Sequence, residues 1–491
     1  MRGKLARRRH VQHTIAPLAL VLLLLASACG QKPGVAGSVA ASGDGTVAGG
    51  GDELGGTPTD GGTTDDGATD GGDTGGDAGG DTGGDAGDGG ADAGGGGGDG
   101  GGGGGGGDTG GDDGGDTGPT TTTRTGITAK EIKIGIHAPE SGAAAVSTFR
   151  QAVGVYSQYA GAIKGLGGRK IVVEARDDHF DPATARTVCK ELVEKEKVFL
   201  LIGGAGVDQI KSCAEYAESQ GVPYFSPGVT EGPFKALKNY FALSETYSQQ
   251  NVQIAQLVKN QVKKTKVGMV LTDSPLLKET EANFKAEAKK NGLTVVYSGK
   301  LAKDAGKTQT DTQVSNLKGK GAEVVYALIS PTVFGYLVSS AKQQAYRPTF
   351  VGPGLSVGVN LVAAATCPPP PFPDVRPMSP MVQEDVINTY EPDYESAYRA
   401  KNGGTSNPDD IGILLWGIEK LVRLMLESAG PDVSRESLID TLESGKTYTS
   451  KVYAPIKFGK VPHFGANAVT QLTIDCSNVQ YRTTKAHATK F

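Results

Sequence analysis

No apolar stretch in this 491-residue chain reaches 18 residues, so no segment matches the length that a bilayer-spanning helix needs. Lys and Arg are absent from residues 33–120, which carry 18 acidic residues. Large apolar side chains are nearly absent from about 30 to 125, which excludes a folded core there. Aromatic residues make up 6% of the chain, with a single Trp. The Lys263, Lys264 and Lys266 group has no aromatics interleaved with it, so it reads as a solvated helix end and no nucleic acid is expected as a partner. Collagenous, coiled-coil and polytopic membrane classes are excluded together.

What is abundant is glycine, 75 residues in all, concentrated between Val35 and Thr120. From Thr121 to Phe491 the chain has 43 Lys and Arg against 36 Asp and Glu, so a mildly basic body follows an acidic tract. The net charge of −5 describes neither part. Residues 29–125 read as a disordered Gly/Asp/Thr-rich tether, extended by repulsion between its Asp residues and spanning roughly 50 Å as a flexible coil. Its Gly-Gly-Asp repeats resemble a calcium-binding β-roll, but no large apolar residue recurs to build that roll's core.

Residues 1–28 carry a basic start, a 12-residue apolar run from Ile15 to Ala26, and small residues before Cys29. This is the pattern of an export signal. The Leu25-Ala26-Ser27-Ala28-Cys29 junction resembles the bacterial lipobox, which implies lipidation of Cys29 and anchorage to the outer face of the cell membrane.

The body of 366 residues after position 125 is long enough for two cores. Strand-like runs rich in Val and Ile occupy 131–138, 170–175, 198–202, 222–226, 266–271, 294–298, 323–329 and 349–352. Continuous apolar runs of this kind suit strands buried on both faces. Helical patterns separate them. Asp181 is placed to cap a helix opening at Pro182. Ile411, Leu414, Leu415, Ile418, Val422 and Met425 recur at helical spacing and predict one apolar face. The fold class is α/β, with two doubly wound parallel sheets joined by several crossovers. Such a pair leaves a cleft beyond the strand C-termini, where ligands bind.

Several constellations suggest chemistry and then fall short. Gly354-Leu355-Ser356-Val357-Gly358 fits a nucleophile elbow, but only His463 and His487 follow it, and a Gly-rich loop after a strand explains it as well. Asp177, Asp178, His179 and Asp181 cluster like metal ligands, although Asp181 already has a capping task. Gly165-Leu166-Gly167-Gly168 precedes a strand instead of following one, so it fails as a dinucleotide loop. No enzyme activity, cofactor or metal is expected.

The body resembles the branched-chain amino-acid (Leu/Ile/Val type) solute-binding proteins of ABC importers. Ile132-Lys133-Ile134-Gly135-Ile136-His137-Ala138-Pro139-Glu140-Ser141-Gly142 is similar to that family's first strand and loop. Asp177-Asp178 before Asp181-Pro182, Val198-Phe199-Leu200-Leu201-Ile202-Gly203 and Val222-Pro223-Tyr224-Phe225-Ser226-Pro227 continue the series. The likeness covers about 127 to 475.

It implies a type I periplasmic-binding fold. Lobe 1 would span 126–245 plus about 379–447, and lobe 2 would span 246–378 plus about 448–491. It also implies a monomer that takes a small polar solute, an amino acid or an amide-like compound, and hands it to an ABC permease. A sensory or scaffold protein reusing the same cleft is the alternative. The implied ligand-binding positions are Ser147, Gly206, Val207, Gly228, Thr230 and Ser330, with Tyr247 as an aromatic wall or a hinge-packing residue.

Departures from the family pattern bear on specificity. Ser147 and Ser330 stand where the family has Tyr, and Val207 where it has Ser. Gly354 stands where an acidic residue pairs with the ligand's ammonium, so branched-chain specificity does not carry over. Export and an even number of remaining cysteines favour disulfides. With the usual strand order, Cys189 pairs with Cys213, and Cys367 with Cys476 follows; buried free thiols are the competing reading.

Overall fold

A computed structural model describes residues 124–491 apart from 229, 355–358, 370, 373 and 407. The signal segment, Cys29, almost all of the tether and Ser356 therefore lie outside the described residues.

Fourteen strands appear among the described residues. In the first body β1 (Glu131–Ala138), β2 (Lys170–Asp177), β3 (Leu200–Gly203), β4 (Tyr224–Ser226) and β5 (Tyr240–Ala242) form a parallel sheet in the order β2-β1-β3-β4-β5. In the second, β6 (Lys266–Thr272), β7 (Thr294–Leu301), β8 (Val324–Leu328), β9 (Thr349–Gly352) and β10 (Val375–Ser379) repeat that order as β7-β6-β8-β9-β10. A two-stranded pair, β11 (Thr447–Tyr448) and β12 (Ile456–Lys457), stands apart. The hairpin of β13 (Val469–Asp475) and β14 (Gln480–Ala488) then extends the second sheet antiparallel to β10.

The strands are buried because helices cover both faces of each sheet. One face of the first sheet packs against the helix Asp410–Ala429 through Ile132, Ile134, Leu200, Leu415, Ile418 and Val422. The other packs against Pro182–Glu194 and Val207–Ser219 through Leu192, Leu201, Ile210 and Tyr224. Asp181 caps the former helix by accepting the Thr184 N–H at 2.8 Å. Cys189 and Cys213 join these two helices in a disulfide, with Cα atoms 5.8 Å apart. In the second body, Val325, Phe334, Leu337 and Phe350 fill one face, and Met269, Leu271, Phe284 and Tyr326 the other. The Cys367–Cys476 disulfide fixes the end of the helix Asn360–Thr366 to the end of β13, with Cα atoms 5.1 Å apart.

The chain leaves the first body after β5 and re-enters it after β10. Tyr448, Val452, Tyr453, Ile456 and Phe458 pack into the first body's core, so the second body resumes at β13. The chain therefore passes between the bodies three times, after β5, after β10 and before β13. No helix among the described residues is long and apolar enough to cross a membrane.

Candidate functional site

The C-terminal ends of strands from both sheets open onto one cavity of about 530 Å³. Pro139 follows β1, Gly204 to Gly206 follow β3, and Pro227 and Gly228 follow β4. From the other body come Thr272 at the end of β6, Ile329 and Ser330 after β8, and Gly354 after β9. This is the position that doubly wound sheets give to ligands.

Ser147, Gly206, Val207, Gly228, Tyr247 and Ser330 all line the cavity. Thr230 is not among the lining residues; it is fully buried, and its hydroxyl accepts the Thr280 hydroxyl at 3.0 Å. Gly206 is the N-cap of Val207–Ser219, and no side chain caps that helix. Its first N–H groups have no intrahelical acceptor and carry positive partial charge. A Cβ on Gly206 would come within 2.8 Å of the Phe180 ring, so a residue with a side chain would close this approach. Ser330 caps Pro331–Gln343, accepting the Val333 N–H at 3.3 Å, and its own hydroxyl hydrogen remains to be donated. Tyr247 opens the helix Tyr247–Leu257, and burial pushes its phenol up to about 12, so it stays protonated as a donor.

Gly354 explains the missing acidic residue in structural terms. It adopts φ +60°, which disfavours any side chain, and its N–H donates to Gln250 Oε1 at 2.6 Å. Gln250 Nε2 in turn donates to the Glu245 carbonyl at 2.8 Å, tying the loop after β9 to the crossover between bodies.

Sequence reasoning missed the residues that bridge the cavity rim. Ser274 donates to Asp208 at 3.0 Å, and Lys303 donates to the Phe180 carbonyl at 3.0 Å. The Asn360 N–H donates to Asp410 Oδ2 at 2.8 Å, and Asn360 Nδ2 to Glu384 Oε1 at 2.7 Å. Burial, with repulsion from Asp409 added, pushes both Asp410 and Glu384 up to about 7, and Glu384 adds further repulsion at Asp410. These are single polar residues in unlike loops, and no spacing announces them.

The remaining sequence candidates serve the scaffold. Asp177 accepts the N–H groups of Glu140, Ser141 and His179, and Asp178 accepts from Phe180. His137 is fully buried, with Nδ1 2.8 Å from Asp178 Oδ2 and Nε2 2.8 Å from the Tyr224 hydroxyl. Its ring lies near the sulfurs of Cys189 and Cys213, but those are joined to each other. His463 bridges the Tyr240 carbonyl and Glu443, and His487 approaches the Val452 carbonyl.

Residues 131–478 match the family model described as periplasmic binding protein. The chain is 24% identical over 226 residues to an amino acid binding protein of Pseudomonas aeruginosa, a match covering 45% of this chain and 60% of that relative's length. Among solved structures, it is similar to the branched-chain amino-acid transporter substrate-binding protein LivJ of Streptococcus pneumoniae, solved with isoleucine. That match has 21% identity and a TM-score of 0.60, covering 72% of this chain and all of the other. It is also similar to a fatty acid ABC transporter substrate-binding protein of Thermomonospora curvata, with 19% identity and a TM-score of 0.64, covering 76% and 97%. A two-body fold with a shared cavity at the strand C-termini, and a family model spanning both bodies, place the chain in the periplasmic binding protein family, with the type I fold.

Proposed function

We propose that this protein is an exported, lipid-anchored solute-binding protein that captures a small organic solute between its lobes and delivers it to an ABC permease. The observation that carries the reading is the cavity of about 530 Å³, built from the strand ends of both bodies and facing an uncapped helix start. A carboxylate or amide carbonyl at the polar end of the solute would take the free N–H groups at Val207 and hydroxyls from Ser147, Ser330 and Tyr247. Thr230 would act from behind this wall by fixing the loop after β4 to the second body through Thr280.

The rim bonds from Ser274 to Asp208 and from Lys303 to Phe180 connect the two bodies, as expected for a closed form. Opening would break them, and the solute would enter and leave by hinge motion. Closure presents a single shape to the permease. Lipidation at Cys29 and a tether over 29–125 would hold this body away from the membrane as a monomer.

Thermal-shift measurements on the purified full chain against amino acids, amides and organic acids test the reading. A bound solute should raise the melting temperature progressively with its concentration. If no compound in the three classes produces such a rise, the solute-capture reading is wrong. Fractionation of cells carrying Cys29→Ser tests the anchor, since the variant should leave the membrane fraction.

A further inference from the structure

We infer that the solute is a monocarboxylate with an extended apolar body and no ammonium group, its head at the start of Val207–Ser219 and its body along the 411–418 face of the helix Asp410–Ala429. The inference rests on the solute-binding reading above and narrows it to a chemical class.

Size is the first argument. At about 530 Å³ the cavity is more than three times the ~150 Å³ void that admits one benzene molecule. A leucine-sized solute would leave most of it unfilled.

The second argument is what the wall is made of. Ile411, Leu414, Leu415 and Ile418 line the cavity at i, i+3, i+4 and i+7, so one helix face borders it for about 10 Å. Phe149 and Phe180 of the first body and Leu277 of the second stand behind the wall, each nearly buried, and Leu361 of the second body adds exposed aliphatic surface. Leu361 is 55% exposed, and it is the exposed large apolar residue among those described that faces the cavity. An uncovered leucine on a concave apolar wall is surface that an apolar ligand would remove from water.

Charge is the third argument. The charged side chains lining the cavity already have partners within the protein. Asp208 accepts Ser274, Asp409 accepts the Gly412 N–H at 2.9 Å, and Asp410 accepts the Asn360 N–H. Lys303 donates to Phe180 and lies 3.9 Å from Asp181. Both ring nitrogens of His137 are engaged. Asp409 also sits at the positive end of the helix that it caps, which its charge complements. Gly354 itself offers no carboxylate to an ammonium group, whereas the start of Val207–Ser219, capped by no side chain and carrying Asp208 in its first turn, still offers backbone N–H groups to a carboxylate.

Isothermal titration of the purified full chain with decanoate, leucine and decylamine tests this. Decanoate should bind at least tenfold more tightly than either of the other two. In Leu361→Asp, decanoate affinity should fall at least tenfold while the melting temperature of the empty protein is unchanged, and Leu361→Met should retain the parent affinity. Leucine binding as tightly as decanoate would overturn the inference and leave the solute-binding reading intact. Equal binding of decylamine, or a Leu361→Asp variant that still binds decanoate normally, would also overturn it. If neither this panel nor the wider amino-acid, amide and organic-acid set binds, both readings fall together.

Discussion

Raising the pH from about 5 to about 8 is expected to weaken the fold through Asp410. This residue opens the helix Asp410–Ala429, is almost fully buried, and holds the Asn360 N–H of the second body. Burial, helped by the nearby Asp409 and Glu384 carboxylates, raises its carboxyl from 3.8 to about 7. Between about pH 4 and pH 7 the folded protein therefore keeps a proton that the unfolded chain has released. The folded state binds more protons there, so stability must fall as pH rises through the window and level off above it. A shift of about three units at about 1.4 kcal/mol each sets a ceiling of about 4 kcal/mol. Glu384, raised to about 7 by the same burial, adds loss of the same sign. Asp410→Asn stays neutral at every pH, so its contribution drops out. Urea unfolding of the parent and the variant across the window, with equal m-values, gives the difference directly. The parent should lose stability relative to the variant as pH rises, while groups common to both, such as Glu245, cancel to first order. Parallel curves, or a parent that gains on the variant toward pH 8, would refute the burial argument.

Three further outcomes follow from the packing. The Cys367–Cys476 bond spans 109 residues and Cys189–Cys213 spans 24, so replacing each pair by Ser should cost about 5 and about 3.5 kcal/mol on chain-entropy grounds; equal losses in urea unfolding would count against that account. Glu419 is fully buried and accepts the Gly154 N–H at 2.6 Å, the Ser157 N–H at 2.9 Å and the Ser157 hydroxyl at 2.8 Å. Glu419→Ala should therefore cost about 3 kcal/mol or more by orphaning buried donors, with Glu419→Gln milder. Gly354→Ala should cost about 1–2 kcal/mol because φ is +60° there; an unchanged unfolding midpoint would show that the loop relaxes freely.

The strands that could be read from sequence are mostly apolar runs, the half-exposed edge strands β2 and β7 included. The runs at β3 and β8 carry no charged residue to confuse the pattern, and strand–helix alternation predicts the parallel pairing seen in both sheets. The strands that escaped have physical reasons for doing so. β5 is three residues long. β10 carries Pro377 in its middle, a residue that argues against a strand; it is tolerated where Pro377 sits opposite Gly352 of β9. β14 reads QYRTTKAHA because it is the edge of its sheet, where polar and charged residues belong.

The site divides along the same line. Gly206 and Gly228, which the family resemblance implied, line the cavity at strand ends, where doubly wound sheets place ligands. The 411, 414, 415 and 418 stripe was visible too, but spacing alone cannot separate a core face from a cavity wall. The two differ only in whether another element arrives to cover the stripe, and that depends on contacts distant in sequence. Here the same helix does both. Leu415, Ile418, Val422 and Met425 all pack in the first body's core, while Ile411, Leu414, Leu415 and Ile418 also line the cavity beside an exposed Leu361 of the second body. The helix that stabilises one lobe also sets the apolar character of the space between them. A substitution at the partly buried Ile411 should therefore change ligand affinity more than stability, and one at the fully buried Met425 should do the reverse.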